Sequence, residues 1–223
     1  MSSLFGMSGT SARFEGVPEI FPIFPLTGAV LFPGGRLPLN IFEPRYLAMV
    51  DDAMAAGRMF GMIQPLPDTP RTANGPAIYR LGCLGRITAF SETDDGRYLI
   101  TLTGLVRFEV VEEAEMRRGY RRVQGDVSAF RDDFAIQSNG AIGAPPLVSR
   151  ELLTGALRRY FEAIGVDANW DAINEISDDA LIVTLCMACP FSPIEKQTLL
   201  EARTDAERVR SLLAILEIHS RRS

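Results

Sequence analysis

The sequence predicts an α+β protein: a small, partly closed β-barrel carrying one inserted helix, followed by a bundle of helices. Two observations carry that prediction. From about Glu19 to Phe130 the chain reads as short apolar runs separated by Gly, Pro and Asp-rich turns. From about Leu147 to the end it reads as amphipathic segments opened and closed by helix caps. Between them residues 131–146, with Ser138-Asn139-Gly140 and Pro145-Pro146, have the chemistry of a linker. The expected divisions are a loose Ser- and Gly-rich arm over 1–18, a barrel unit over 19–130, the linker, and a helical unit over 147–223.

In the first half, Ile20–Phe24 is an extended run that Pro22 demotes toward a sheet edge, because proline cannot donate to a ladder. Leu37–Phe42 is a second extended run, and a helix follows at once. Pro44 suits a first helical position, where its missing N–H costs nothing. Leu47, Val50 and Met54 continue one apolar face, and Gly57 can end the helix in a left-handed conformation. Phe42 is placed to pack on Leu47 as a hydrophobic staple, giving a helix over Pro44–Ala56. Phe60–Gln64 reads as a short buried strand. Tyr79–Phe90 and Tyr98–Val111 are long strands, the second with Leu99, Thr101 and Thr103 alternating against Ile100 and Leu102. Asp95-Gly96 between them signals a type I′ hairpin, which needs positive φ at both central residues. Gly82, Gly85 and Gly104 interrupt the runs where a barrel needs bulges or bends. Tyr120–Phe130 adds a last strand through the Arg118-Gly119 turn.

The second half punctuates itself. Leu147–Ile164 is an amphipathic helix stopped by Gly165, and a short helical piece covers Asn169–Ile176. Ser177 can cap Asp178–Ala188, with two acids in the first turn where the helix dipole favours them. Pro190 ends that helix. Ser192-Pro193-Ile194-Glu195 is a capping box opening Pro193–Arg203, and Thr204-Asp205-Ala206-Glu207 a second one opening the last helix. There Val209, Leu212, Leu213 and Leu216 form an apolar stripe.

A hydrophobic fraction of 47% over 223 residues is enough for a sizeable core. The formal charge of −5 argues against a general nucleic-acid binder, which carries surplus Lys and Arg to neutralise phosphates. The local cluster Arg117, Arg118, Arg121 and Arg122 reads as a solvated hairpin end. No run reaches the roughly 18 to 20 apolar residues of a membrane span. The first residues lack the apolar stretch of a signal peptide. Three cysteines offer no disulfide framework, so a reducing cytoplasm is the expected setting.

The chemical inventory points away from catalysis. The single histidine, His219, sits near a C-terminus expected to fray, and a general base must be held within hydrogen-bond reach of its nucleophile. Cys186-Met187-Ala188-Cys189 has redox or zinc spacing but falls at the C-terminal end of a helix, whereas a reactive pair needs the N-terminal end. A tetrahedral zinc site would also need Cys83 and His219; buried core cysteines are the reading preferred. No glycine-rich phosphate loop occurs. Asp51-Asp52, Asp94-Asp95 and Asp132-Asp133 read as turn and surface chemistry. A binding module is expected, not an enzyme, with no metal or cofactor.

Phe24-Pro25-Leu26, then Leu31-Phe32-Pro33-Gly34, then Leu37-Pro38-Leu39-Asn40-Ile41-Phe42 resembles the opening of Lon protease N-terminal domains. Glu43-Pro44-Arg45-Tyr46 is similar to the form seen in stand-alone members of that family. Leu81-Gly82 to Arg86-Ile87 and Asp95-Gly96-Arg97 match its paired strands, and Leu102 to Phe108 resembles its strand-Gly-x-x-Arg-Phe signature. Pro190 to Glu201 resembles its helix-turn-helix segment. Together these cover most of residues 19 to 217. The resemblance implies a PUA-like barrel followed by a helical bundle, and recognition of unfolded or tagged protein segments. It supplies no catalytic residues. A full Lon protease continues into an ATPase module and a Ser-Lys peptidase, and neither activity is expected here. Because PUA-like barrels can bind structured RNA, RNA stands as the alternative partner.

The expected partner surface is the barrel opening: Phe32 and Pro33 in an apolar loop, Pro38 where ladder pairing is limited, and Glu43 with Arg45 on the rim. An exposed apolar groove of that kind suits extended peptides. The competing reading is that Phe32, Leu39, Ile41 and Phe42 fill the core, and that Arg45 makes only a helix-surface salt bridge. Between the two phenylalanines, Phe42 is expected to be structural and Phe32 to face the partner.

Overall fold

The computed structural model describes residues 16–134 and 148–221. Residues 1–15 of the expected arm and 135–146 of the expected linker lie outside the described residues. Eight strands and a helix come first: β1 (Ile20–Pro25), β2 (Arg36–Ile41), α1 (Pro44–Ala55), β3 (Met59–Ile63), the small hairpin β4 (Arg71–Thr72) and β5 (Gly75–Pro76), β6 (Leu81–Glu92), β7 (Tyr98–Arg117) and β8 (Tyr120–Asp126). Among the described residues the helices α2 (Arg150–Ile164), α3 (Trp170–Glu175), α4 (Asp178–Ala188), α5 (Pro193–Glu201) and α6 (Asp205–Ser220) follow.

The main sheet runs β2-β7-β6-β3-β1-β8, and β8 also pairs with β7. The circuit β1-β3-β6-β7-β8 therefore closes on itself, with β1–β3 its single parallel pair. The 20-residue β7 makes this possible: its first part, 98–103, pairs with β2, and its last, 109–117, pairs with β8. Register shifts at Leu84/Gly85, Ile87/Ala89 and Val110/Glu112 bend the long hairpin between those two tasks.

Inside the circuit lie Phe21, Ile23, Met59, Ile63, Leu84, Val106, Phe108 and Val123. Phe21 and Phe108 meet edge to face at 4.9 Å. The opposite face of the strands packs against α1 and the C-terminal helices through one continuous core, joining Phe32, Ile41, Met49 and Leu102 to Leu157, Leu185, Leu199, Leu212 and Leu216. Buried polar groups tie the two halves. Gln64 Nε2 donates to the Pro193 carbonyl at 2.9 Å and to Gln197 Oε1 at 3.1 Å, and Gln197 donates onward to the Leu81 carbonyl. Lys196 Nζ donates to the carbonyls of Gly28 and Met187.

The Gly-x-x-Arg-Phe stretch has a physical reason at each fixed position. A Cβ on Gly104 would lie 2.0 Å from the Phe32 carbonyl oxygen, so only glycine lets that loop close on β7. Arg107 is buried and bidentate to buried Asp133, and its Nη1 also donates to the carbonyls of Leu200 and Ala202. Phe108 fills the circuit against Gly82, where any Cβ would meet its ring at 2.6 Å.

Several expectations are corrected. Strand β7 continues six residues past Val111, and β8 ends at Asp126, giving way to a 3-10 turn at Ser128–Phe130. The Asp95-Gly96 hairpin is not type I′. Only Gly96 has positive φ, and the Thr93 N–H bonds the Arg97 carbonyl, so the loop holds a third residue. It is Arg118-Gly119 that places two consecutive residues at positive φ, 48° and 84°. Ser192 and Glu195 form the expected capping box. Thr204 caps α6, but Glu207 reaches the Arg203 N–H instead of completing a second box. Ser177 makes no side-chain cap bond.

Candidate functional site

The burial of the two phenylalanines is the reverse of that expected. Phe32 is 0% exposed, buried in the core shared by both halves with the Arg208 guanidinium 5.4 Å from its ring centre. Pro33 beside it is buried as well. The loop they occupy is apolar because it is sandwiched between β7 and the C-terminal helices, so neither is available as a surface contact. Phe42 is 61% exposed, and its ring lies beside Arg97 at 6.0 Å. Strand alternation explains this: Ile41 points into the core, so its neighbour Phe42 must point away.

Pro38 lands on an uncovered floor. Across β2, β7 and β6 the register aligns Arg36–Thr103–Arg86, then Pro38–Thr101–Ala89, then Asn40–Leu99–Ser91. Phe42 and Arg97 follow at the hairpin end. These side chains continue the face that bears Leu84 and Val106 inside the closed circuit, carried past its mouth by β7. The result is an open groove of about 510 Å³, with Phe90 at its border. Phe42, Phe90 and Leu99 leave 61%, 43% and 45% of their surface in water. Strand β2 is the sheet's outer edge, and among the described residues its backbone bonds only to β7. Leu99 and Thr101 were legible as a pair on one strand face; that they share it with β2 and β6 was not.

Glu43 and Arg45 occupy a different place. They pair with each other at 2.7 Å, and Arg45 lies over the Tyr46 ring at 4.5 Å. Arg45 borders a cavity of about 200 Å³ where the end of β1, the start of α1, the β4–β5 hairpin and the β7–β8 turn meet. Its inner guanidinium, Arg121, is held by Glu113 at 2.5 Å and by the Pro76 carbonyl at 2.7 Å. Asn74 also donates to Glu113, and these bonds outweigh burial to hold its carboxyl below the usual range. Both guanidiniums are matched by carboxylates, which leaves no net charge for an anion. Arg45 thus makes a surface salt bridge, and its partner is Glu43.

The arginine cluster at the β7–β8 turn is a solvated hairpin end, as expected, with Arg117 and Arg118 59% and 50% exposed, and it is also paired internally. Arg117 and Arg118 pair with Asp52 at 3.1 and 2.9 Å, and Tyr120 donates to the same carboxylate at 2.6 Å. Asp51 accepts from the Tyr98 hydroxyl. The two aspartates of α1 therefore pin the helix to the long hairpin. The hydrogen bond from Tyr120 first, then the arginines, hold the Asp52 carboxyl below its ordinary range against the effect of partial burial.

His219 does not sit on a frayed end. Its Nε2 lies 2.9 Å from Glu195 Oε1, and its ring packs against Tyr160 and Phe191. Glu195 in turn accepts from Ser192, so the histidine faces a carboxylate engaged in capping α5. Cys83, Cys186 and Cys189 are free and buried as expected, and burial pushes the Cys186 and Cys189 thiols up to about 12, where thiolate chemistry is suppressed. Among the described residues no group of His, Cys, Asp and Glu could hold a metal, and no helix is long and apolar enough to cross a membrane.

Fold and face together define a mixed α/β domain that presents one open sheet floor. The chain belongs to the family of the ATP-dependent protease La (Lon) substrate-binding domain, whose model matches residues 20–217. It is 31% identical over 98 residues to Lon protease 2 of Myxococcus xanthus, covering 44% of this chain and 12% of that protein. It is 25% identical over 204 residues to a Lon protease of Cytophaga hutchinsonii, covering 91% of this chain and 24% of that one. The chain thus spans a small part of these relatives, and the match falls on the substrate-binding domain, not on a protease or ATPase domain. In fold it is similar to a Lon N-terminal domain protein from Xanthomonas campestris, with TM-score 0.55, 24% identity, and coverage of 87% of this chain and 97% of that one. It is also similar to the N-terminal domain of a Mycobacterium avium complex Lon protease, with TM-score 0.54, 16% identity, and coverage of 91% and 98%.

Proposed function

We propose that this protein is a non-catalytic recognition module for segments of unfolded or client proteins, acting as an adaptor in protein quality control. On this reading the closed strand circuit is a PUA-like barrel and the C-terminal helices are a bundle that braces it. The observation that carries the proposal is the open floor over β2, β7 and β6. It carries the exposed Leu99 beside Pro38 and Ala89, with exposed Phe42 just past the end of β2, in a domain whose family is defined by substrate binding. Large exposed side chains gathered on one concave face favour an interaction surface over scattered surface apolarity. The RNA alternative rests on the PUA-like resemblance and gains no added support from charge, because Arg117, Arg118 and Arg121 are engaged by Asp52 and Glu113.

The test is direct binding of the purified chain to a reduced, carboxymethylated protein and to the same protein in its native state. The expected result is binding to the denatured form only, weakened at least about fivefold by joint Phe42→Ser and Leu99→Ser substitution, since each removes an apolar anchor. The melting curve should stay within the range of surface substitutions. Equal affinity for native and denatured forms, or unchanged binding by the double variant, defeats the proposal.

A further inference from the structure

We infer that the free edge of β2 is a strand-addition site for an extended polypeptide carrying an acidic side chain at one end and apolar side chains further along the same face. The inference rests on the protein-binding reading above and specifies how such a segment is held. Three observations converge on it. First, β2 is a six-residue edge strand, and among the described residues its outward N–H and C=O groups meet no backbone partner. Unpaired edge groups are a template for a further strand. Only Pro38 lacks a donor.

Second, the side chains that an added strand would meet are already sorted. Arg36, Pro38, Asn40 and Phe42 alternate onto the floor side, while Leu37 is half buried and Leu39 and Ile41 point into the core. A segment lying beside β2 sets every second side chain opposite this row. On the floor itself the row leads to the exposed Leu99, which the adjacent strand β7 sets beside Asn40.

Third, the charge at the other end of the row is unanswered. Arg36 and Arg86 flank Thr103 on the same face, and neither pairs with a carboxylate among the described residues. The other floor arginine, Arg97, is neutralised by Asp95 at 2.7 Å. An acidic residue opposite Arg36 makes a favourable cross-strand pair, and a basic one is repelled. The floor therefore selects for a segment that is acidic near Arg36 and apolar or aromatic near Phe42, in either chain direction. Strand addition supplies affinity that does not depend on sequence, while the two ends of the row choose among segments.

The experiment uses the full chain and three labelled peptides built on one extended apolar sequence, ending in Asp-Glu, in Asn-Gln or in Lys-Lys. Each is also made with alternate backbone amides N-methylated, in the two possible phases, and a carboxymethylated denatured protein serves as the reference ligand. The acidic peptide should bind more tightly than the basic one by about fivefold at low salt, and Arg36→Glu should reverse that order. One phase of N-methylation should abolish binding and the other leave it nearly intact, because only alternate amides face β2. If the denatured protein binds but both phases of methylation act equally, strand addition is wrong while the wider recognition role stands. If methylation behaves as expected but Arg36→Glu leaves the charge preference unchanged, the acidic specificity is wrong. Failure of the denatured protein itself to bind removes the recognition role, and this inference with it.

Discussion

Truncating Phe32 to alanine should cost far more folding stability than truncating Phe42, the reverse of what their sequence contexts suggest. Phe32 is fully buried between β7 and the C-terminal helices, and its backbone carbonyl is the atom against which Gly104 packs. Removing its ring loses the transfer energy of a buried aromatic and opens a cavity that Arg208, held by the Leu199 carbonyl and by Asp205, is poorly placed to fill. Such a substitution typically costs about 3 to 5 kcal/mol. It also strips the Arg208 guanidinium of its aromatic neighbour, an interaction of about 0.5 to 2 kcal/mol that overlaps with the packing term. Phe42 loses only a partial contact with Arg97, so Phe42→Ala should stay within about 1 kcal/mol of the parent. Urea melts followed by circular dichroism give both midpoints, with the m-value checking that the unfolding transition itself is unchanged. Comparable losses in the two variants, or a larger one for Phe42→Ala, would refute this assignment of core and surface.

Three further outcomes follow from the same packing. Gly104→Ala should destabilise by at least about 2 kcal/mol, since the added Cβ meets backbone and not a side chain that can swing away; a melt within a few tenths of the parent contradicts the close approach. Asp133→Asn should cost about 3 to 5 kcal/mol by leaving the buried Arg107 guanidinium without its charge partner, while joint Arg107→Met and Asp133→Leu should recover part of the loss, as a double-mutant cycle will show. Stability should fall at both ends of the pH scale. The depressed carboxyls of Asp52, Glu113 and Glu195 contribute above the ordinary carboxylate range and lose that contribution as pH drops through their lower folded values. Burial, aided by Asp52, raises the Tyr120 phenol from 10.0 to about 12, so the unfolded chain ionises first and stability declines over that interval. Tyr120→Phe should flatten the alkaline decline in a pH-dependent denaturation series and move the acid limb upward; an unchanged profile removes Tyr120 from the account.

Much of the fold was legible because its signals are local. Pro44 and Gly57 bracket α1, Ser192 and Glu195 cap α5, and Gly165 ends α2 at a φ of 69°; each acts within a few residues of itself. The alternation of Leu99, Thr101 and Thr103 against Ile100 and Leu102 likewise announced a strand with one wet face. The turns were read less well. Asp-Gly was the stronger dipeptide signal, yet loop length, set by where β6 and β7 stay in register, decided that Arg118-Gly119 takes the pair of positive φ angles. The exposure of Phe42 went unread for a related reason, because the pleat of β2 had already committed its neighbour Ile41 to the core.

What the sequence determined by itself is the order and kind of elements and the family resemblance. Only the tertiary structure decided which of those elements face each other. An apolar loop reads the same whether it covers a helix or awaits a partner; Phe32 is inside because the C-terminal helices, more than a hundred residues later, close over it. An arginine reads the same whether free or matched; Arg121 is neutralised by Glu113 across a strand pair, while Arg36 and Arg86 face open floor. Burial and charge balance are properties of neighbours in space, and those neighbours are brought together by a long strand that serves β2 at one end and β8 at the other.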